Sequence, residues 1–414
     1  MRQFDIAVVG AGLAGSLAAL ALADSGASVA LIAPPARAND GRTTALMDQS
    51  IAFLKTLGLW EEIARHAAAL ETMQILDGTA RLLRAPPVAF RSGEVGLEAF
   101  GYNIPNAPFL AVLDARIAAT GNIVRIESGV TAANAFEEGV ELTLEDGGRV
   151  LAGLVAGADG RKSKIRESAG IGVKAWSYPQ AALVLNFSHE RPHGNVSTEF
   201  HTESGPFTQV PLPGRRSSLV WVLPPKEAAR LGDLSAADLG HAVEARMQSM
   251  LGKVTVEGAA QRFPLSGMTA ERFGKGRIVL LGEAAHAFPP IGAQGLNLSL
   301  RDIMALKELI QGATPANDAG IGERFDRRRQ ADIRSRTLSV DLLNRSLLSD
   351  FLPVQFLRSA GLHLLSALGP LRSIVMREGI EPLGSLKAFR DGLRERVARK
   401  AASSCAKASS RSAR

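Results

Sequence analysis

The run Phe4-Asp5-Ile6-Ala7-Val8-Val9 leads straight into Gly10-Ala11-Gly12-Leu13-Ala14-Gly15, and this stretch decides more about the fold than any other. A short apolar run ending in glycine reads as a buried parallel strand. Gly10 permits a tight turn, Gly12 lets backbone approach a pyrophosphate, and Gly15 lets the next helix pack closely on the strand. The Ala- and Leu-rich segment 16–25 supplies that helix, Gly26 stops it, and 28–32 closes a βαβ unit as its second strand. A helix begun this way offers unpaired N–H groups and a positive dipole end to phosphates. The segment reads as a dinucleotide-binding turn, with a purely structural glycine turn as the plainer alternative. One element departs from that pattern: an acid is expected after the second strand to hold a ribose. Here Leu31-Ile32 runs into Ala33-Pro34-Pro35, which leaves the ribose to backbone or to Arg37.

A second strand-to-helix turn lies far along the chain, at Arg277-Ile278-Val279-Leu280-Leu281-Gly282-Glu283-Ala284-Ala285-His286 and Pro289-Pro290-Ile291-Gly292-Ala293-Gln294-Gly295-Leu296-Asn297. Two such turns at opposite ends of one chain point to a long ligand held at both ends, and FAD has that length. Glu283 would accept hydrogen bonds from ribityl or ribose hydroxyls, or else merely cap a helix. Gly292 and Gly295 would let backbone come close to a flavin ring. A helix beginning near Gly295 would aim its N-terminal dipole at the ring's pyrimidine end, which becomes negative on reduction. Between the two turns, Gly157-Ala158-Asp159-Gly160-Arg161-Lys162-Ser163 ends another buried run with a carboxylate.

The 414 residues suffice for two or three domains, and 46% hydrophobic with 21% charged residues is the balance of a globular protein with a large core. Of the net charge of +7, five positive charges fall in the acid-free tail at Arg399, Lys400, Lys407, Arg411 and Arg414. The body is therefore close to neutral, which argues against nucleic acid as a partner. A single cysteine, Cys405, excludes an internal disulfide framework, and the seven histidines form no metal-spaced cluster, so no metal site is expected. The first strand begins almost at Met1, and no apolar run reaches the roughly 18 residues of a membrane-spanning helix. A cytoplasmic location is expected, with peripheral contact on the inner membrane face as an option.

Farther along, 49–65 reads as one helix and a further helix begins near Leu113. Short β-rich runs at 182–187, 196–201, 207–212 and 218–223, separated by Pro, Gly, His and Arg, suggest an antiparallel sheet. The segment 351–369 is apolar but interrupted by Gln355, Arg358 and His363, so it either docks on a bilayer or covers the core. The fold class is α/β: a Rossmann-like FAD-binding domain, an inserted antiparallel-sheet substrate domain and a C-terminal helical region. The boundaries are 1–72, 108–176 and 264–330 for the first domain, and 73–107 and 177–263 for the second. Helices follow over 331–398, then a disordered basic tail over 399–414.

Taken in order, the three glycine segments resemble those of the flavin-dependent aromatic hydroxylases, the group that includes para-hydroxybenzoate hydroxylase. The resemblance covers roughly residues 4 to 330. Arg42-Thr43-Thr44-Ala45-Leu46, Gly205-Pro206-Phe207 with Pro211-Leu212-Pro213, and Gln294 to Asp302 are most similar to the ubiquinone-biosynthesis hydroxylases. Glu283 stands where Asp is usual, Gly292-Ala293 replaces Ala-Gly, and Ser299 stands where Gly is common.

The resemblance implies that Gly10, Ala11, Gly12, Leu13, Ala14, Gly15, Arg42, Arg116, Val130, Asp159, Gly282, Glu283, Pro290, Gly295, Leu296 and Asn297 contact FAD. Arg42 and Arg116 would approach the pyrophosphate or ribityl region, or else form surface ion pairs. A backbone carbonyl near Pro290 would orient the substrate hydroxyl, and Phe207, Val210 and Leu212 would form the apolar pocket wall. His286 reads more readily as a packed core histidine than as a catalyst. The implied reaction is hydroxylation of a phenolic ring, with a polyprenylated ubiquinone precursor as substrate. NAD(P)H in passing and O2 would act through a flavin C4a-hydroperoxide, in a pocket kept dry. A halogenase or prenyl reductase of related fold, or a non-catalytic flavin-binding subunit of a quinone-biosynthesis complex, are the alternatives.

Overall fold

The computed structural model describes residues 2–35, 41–79, 86–289, 294–311 and 318–348. Parallel strands Ile278–Leu280, Arg149–Gly157, Arg2–Val9, Val29–Ile32 and Ile123–Ile126 lie side by side in that order. Gly157 faces both Val9 and Leu280 across the ladder, and Ile32 faces both Val9 and Ile126. All of these strands therefore end at one edge, where ligands of open α/β sheets bind. Ile6, Ala7, Val8, Val29 to Ile32 and Leu154 to Ala156 are fully buried, as expected for strands covered on both faces. Helices Leu13–Ala23 and Asn106–Ala118 pack together, and Gln294–Ile310 lies against the first of them.

A second sheet runs in the order His286–Ala287, Val254–Ala270, Val173–His189, Arg216–Leu223, Gly205–Leu212, Val196–Thr202, Thr72–Asp77, Val88–Arg91. Most neighbours are antiparallel, as the turn-rich sequence implied, although Val196–Thr202 and Thr72–Asp77 run parallel. Helices Pro225–Gly232 and Ala236–Arg246 cover one face, burying Leu183, Leu185, Phe187, Phe207, Leu219 and Trp221 against Leu231, Leu239 and Val243. Full burial of each such side chain is worth about 1.5–3 kcal/mol, so this face is committed to stability.

The other face of the second sheet meets the first domain. Thr43 Oγ1 donates to Ser218 Oγ at 3.1 Å, and Asn103 Nδ2 donates to Pro211 O at 2.9 Å and Ser218 Oγ at 3.2 Å. Asn186 Nδ2 donates to Gly41 O at 2.8 Å. A small sheet of Thr43–Met47, Gly101–Pro105 and Ala68–Leu70 stands between the two large ones.

Several elements differ from their sequence expectations. The single helix expected over 49–65 is split into Asp48–Thr56 and Trp60–Ala64, because Gly58 takes a left-handed conformation (φ +63°) between them. The helix expected near Leu113 begins at Asn106. The short strand expected over 182–187 belongs to a 17-residue strand, Val173–His189, paired with the equally long Val254–Ala270. That long strand crosses the expected boundary at 263/264, and Gly101–Pro105 pairs outside the substrate sheet to which 73–107 was assigned. Helix Ile321–Leu348 runs through the boundary at 331. The segment 351–369, the tail 399–414 and Cys405 lie outside the described residues.

Candidate cofactor and substrate site

The first turn is built by close approach. Gly10 sits at φ +107°, and a Cβ there would lie 2.3 Å from Ala158 O, so the Asp159 segment is packed directly on the turn. At Gly15 a Cβ would lie 1.8 Å from Gly10 O, which shows how tightly the helix seats on its own turn. Gly12 is the opposite case. It is exposed, and a Cβ there would meet no atom within 4 Å. The helix behind it has no side-chain cap and no acid in its first turn, so its N-terminal N–H groups face an open cradle.

The late turn touches the early one. A Cβ on Gly282 would lie 3.3 Å from Ala14 Cβ and 2.9 Å from Ser299 Oγ. Gly295, at the start of helix Gln294–Ile310, resembles Gly12 in being exposed with no atom within 4 Å of a Cβ position. The chain thus closes the glycines that fix its turns and leaves open Gly12 and Gly295, each at the start of a helix. All three glycine segments meet around the N-terminus of helix Leu13–Ala23.

Asp159 is half-buried; its Oδ2 accepts from Lys164 N at 2.6 Å and Ile165 N at 3.2 Å. Among the described residues its buried Oδ1 has no partner, which leaves it able to accept from a ligand donor. Glu283 is more than half exposed, with Arg161 Nε 3.6 Å from its Oε2, so an ion pair bridges the middle and late segments. Ala33 N donates to Ile126 O at 3.1 Å, which ties the second strand's end to the Ile123–Ile126 strand. Val130 follows at this same edge and is buried in the core. An open glycine cradle, a helix N-terminus without an acid and an orphaned carboxylate oxygen together suit a diphosphate-bearing cofactor.

Beneath the late turn lies a network absent from the sequence expectations. Asp302 is buried; its Oδ2 accepts from Gly282 N at 3.1 Å and bonds His286 Nε2 at 2.7 Å, while its Oδ1 accepts from Arg329 Nε at 2.8 Å. Arg329 also donates to Asp332 at 2.8 Å. Burial pulls the Arg329 guanidinium down, but the Asp302 and Asp332 carboxylates outweigh it and hold the group above its ordinary range. His286, stacked on Phe288 at 5.6 Å, is thereby a buried structural partner of Asp302. Residues so far apart in sequence give no periodic signal, although the Arg301-Asp302 pair stood within the late motif. Arg166 was also missed: buried, it donates to Ala284 O and Arg161 O at 2.8 Å each, and so pins the middle and late segments together.

Asn297 uses its side chain inside the protein. Its Oδ1 accepts from Met47 N at 2.9 Å and Ser50 Oγ at 2.7 Å, and its Nδ2 donates to Ala45 O at 2.8 Å. It thereby fastens the segment after Arg42 to the late helix. Leu296, half-buried beside it, packs on the main core. Arg42 is exposed, and its carbonyl accepts from Asn106 N at 3.0 Å. Arg116 lies ten residues farther along that helix, about 15 Å from Asn106. Its guanidinium donates to Gly58 O at 2.9 Å and lies 3.9 Å from Glu62. The two arginines are not brought to one place. Pro290, Gly292, Ala293 and Arg37 lie outside the described residues.

The expected pocket wall needs correction. Side chains alternate along a strand, so Phe207 points opposite to Val210 and Leu212. Phe207 is fully buried on the helix-covered face, edge-on to Trp221 at 5.1 Å and Phe200 at 5.7 Å. Val210 pairs with Ser218 and Leu212 with Arg216, on the face turned toward Thr43. Ala182, Val184, Val220, Val222, Leu265 and Tyr178 form an apolar cluster on that same face. Period-two alternation in the sequence would have separated Phe207 from the other two.

Among the described residues no group of His, Cys, Asp and Glu could hold a metal ion, and no helix is long and apolar enough to cross a membrane. Residues 3–329 match the FAD binding domain family. The chain is 33% identical to the ubiquinone hydroxylase UbiL of Rhodospirillum rubrum, over 92% of this chain and 90% of that protein. It is 30% identical to the 3-demethoxyubiquinol 3-hydroxylase of Escherichia coli, over 89% of this chain and 96% of that one. In fold it is similar to the p-nitrophenol 4-monooxygenase PnpA of Pseudomonas putida DLL-E4, with a TM-score of 0.74 at 19% identity over 92% of this chain and 97% of that one. Geometry and kinship agree, and the chain belongs to the FAD binding domain family, among its FAD-dependent hydroxylases.

Proposed function

We infer that this protein hydroxylates the phenolic ring of a polyprenylated ubiquinone precursor, with NAD(P)H and O2 as co-substrates. The observation that carries the substrate is the near full-length similarity to ubiquinone hydroxylases, joined to an apolar sheet face turned toward the first domain. When bound and reduced, FAD supplies the activation of O2. The protein's own part is to bind, orient and keep dry.

Gly12 and the amides of Leu13 and Ala14 would receive the diphosphate, with Ala11 and Gly15 shaping the turn and Asp159 Oδ1 accepting a donor from the ligand. Glu283 would take a ribityl or ribose hydroxyl, exchanging its exposed contact with Arg161 for that bond. Gly282, held by Asp302, and Gly295 and Leu296 at the helix start would stand against the flavin, with the helix dipole toward its ring. Arg42 stays in this set through its place beside Asn106, and Val130 through its place at the adenine side of the sheet edge. Arg116 leaves it, because its guanidinium serves Gly58 and Glu62. Asn297 acts through the 45–50 segment. Val210 and the cluster of Ala182, Val184, Val220, Val222 and Leu265 would exclude water from the ring being oxidised. NAD(P)H would bind in passing, and a membrane surface or a quinone-biosynthesis complex would deliver the prenylated substrate.

The test is to load purified protein with FAD, supply NAD(P)H and a geranylated phenol, and identify products by mass. One added oxygen atom on the ring, dependent on both FAD and NAD(P)H, is expected. Oxidation of NAD(P)H that yields peroxide alone, or no bound FAD at all, refutes the proposal.

A further inference from the structure

Strand alternation gathers Glu199, His201 and Thr208 on the apolar face of the second sheet that is turned to the first domain, and the FAD contacts proposed above use none of them. Glu199 is opposite Thr208, Thr208 opposite Val220, and Val220 opposite Val184. Residues opposite one another share a face. Ser218, two residues before Val220, is the one that bonds Thr43. Two strand spacings and one two-residue step put Glu199 about 12 Å from that contact.

His201 Nε2 lies 2.8 Å from Glu199 Oε1, and Thr208 Oγ1 donates to Glu199 Oε2 at 3.3 Å. The two side chains are 13% and 29% exposed, so the pair belongs to a shielded wall rather than to open surface. With Glu199 accepting from Nε2–H, Nδ1 is the lone-pair acceptor of the ring. Among the described residues Nδ1 has no hydrogen-bond partner. Among the described residues, the titratable groups facing His201 are Glu199 on its own strand and Asp77 opposite it on the next, the latter accepting from Thr79. Strand Gly205–Leu212 contributes the uncharged Thr208.

We propose that His201 Nδ1 accepts the proton of the substrate's phenolic hydroxyl, with Glu199 as the positioning residue that orients the imidazole. This rests on the reading of the protein as a ring hydroxylase. The phenol O–H bond breaks, an N–H bond forms on His201, and the electron pair stays on oxygen, so the step consumes no oxidant or reductant. The phenolate ring is the more electron-rich one and the better nucleophile toward an electrophilic oxygen.

The test uses full-length, FAD-loaded protein with a geranylated phenol and its methyl ether, whose binding is read from the perturbed flavin spectrum. Wild type is expected to prefer the phenol by about tenfold, the worth of one buried hydrogen bond, and His201→Leu to lose that preference. Glu199→Gln still offers an acceptor to Nε2–H, so it keeps the preference. Glu199→Leu offers Nε2–H no acceptor, leaves the ring unoriented, and is expected to lose the preference as His201→Leu does. An undiminished phenol preference in His201→Leu or Glu199→Leu, loss of the preference in Glu199→Gln, or loss of bound FAD in any of these variants overturns the assignment. Failure of wild type to hydroxylate the phenol at all overturns instead the ring-hydroxylase reading beneath it.

Discussion

Replacing Gly12 with alanine separates what the first turn does for the fold from what it does for a ligand. Gly12 has φ −74° and ψ −178°, a conformation alanine adopts freely, and the added methyl meets no protein atom within 4 Å. Loss of unfolded-state freedom then favours the variant by about 0.4–1 kcal/mol. The same methyl fills the space over the helix N-terminus. Displacing a diphosphate there forfeits at least two charge-assisted hydrogen bonds of about 1.5 kcal/mol each, roughly a 150-fold loss of FAD affinity. Gly15→Ala, whose methyl would lie 1.8 Å from Gly10 O, is the contrast. It should lower stability by about 1–3 kcal/mol or more through overpacking. Urea denaturation of the FAD-free protein and quenching of flavin fluorescence on titration measure the two quantities. Native-like FAD affinity in Gly12→Ala would falsify the placement of the diphosphate at this turn.

Arg329→Met leaves Asp302 buried beside His286 without its guanidinium, and should cost about 3–5 kcal/mol in urea unfolding; adding Asp302→Asn should return part of that loss. Phe207→Ala should destabilise by about 3–5 kcal/mol with little effect on KM, whereas Val210→Ala should do the reverse, since the two point to opposite faces. Equal stability losses for that pair would contradict the assignment of faces. Burial holds the His189 imidazole below the ordinary histidine range, with Nδ1 donating to Arg191 O and Nε2 accepting from Ser217. The unfolded chain binds its proton near pH 6.5 and the folded chain only at lower pH. Stability from this group is therefore complete above about pH 6.5 and falls as pH drops toward the folded value. Urea midpoints between neutral and mildly acidic pH should decline more steeply in wild type than in His189→Gln.

The first domain was legible because its strands are buried on both faces and so read as unbroken apolar runs. Three of those runs also end in a glycine, Gly10, Gly157 and Gly282, whose geometry admits few alternatives, as Gly10 under Ala158 shows. The second sheet was legible as a class but not in detail. Val173–His189 and Val254–Ala270 carry prolines and irregular registers that break their patterns into apparently separate short strands. Phe207 and Val210 looked equivalent by composition and differ by parity alone. The Asp302 and Arg329 pair and the Arg166 clamp join positions with no shared periodicity, so no local pattern announces them. Arg116 shows the converse: a residue carried over from a likeness met a local partner, Gly58 O, that no likeness predicts.

The strand order also bears on when the protein can acquire its cofactor during synthesis. Arg2–Val9 and Val29–Ile32 leave the ribosome early, yet the neighbour on the other side of the first strand is Arg149–Gly157, and Ile278–Leu280 must dock beyond that. The anchoring guanidinium of Arg329 arrives later still. A nascent chain therefore displays an unfinished cradle until residue 329 has emerged.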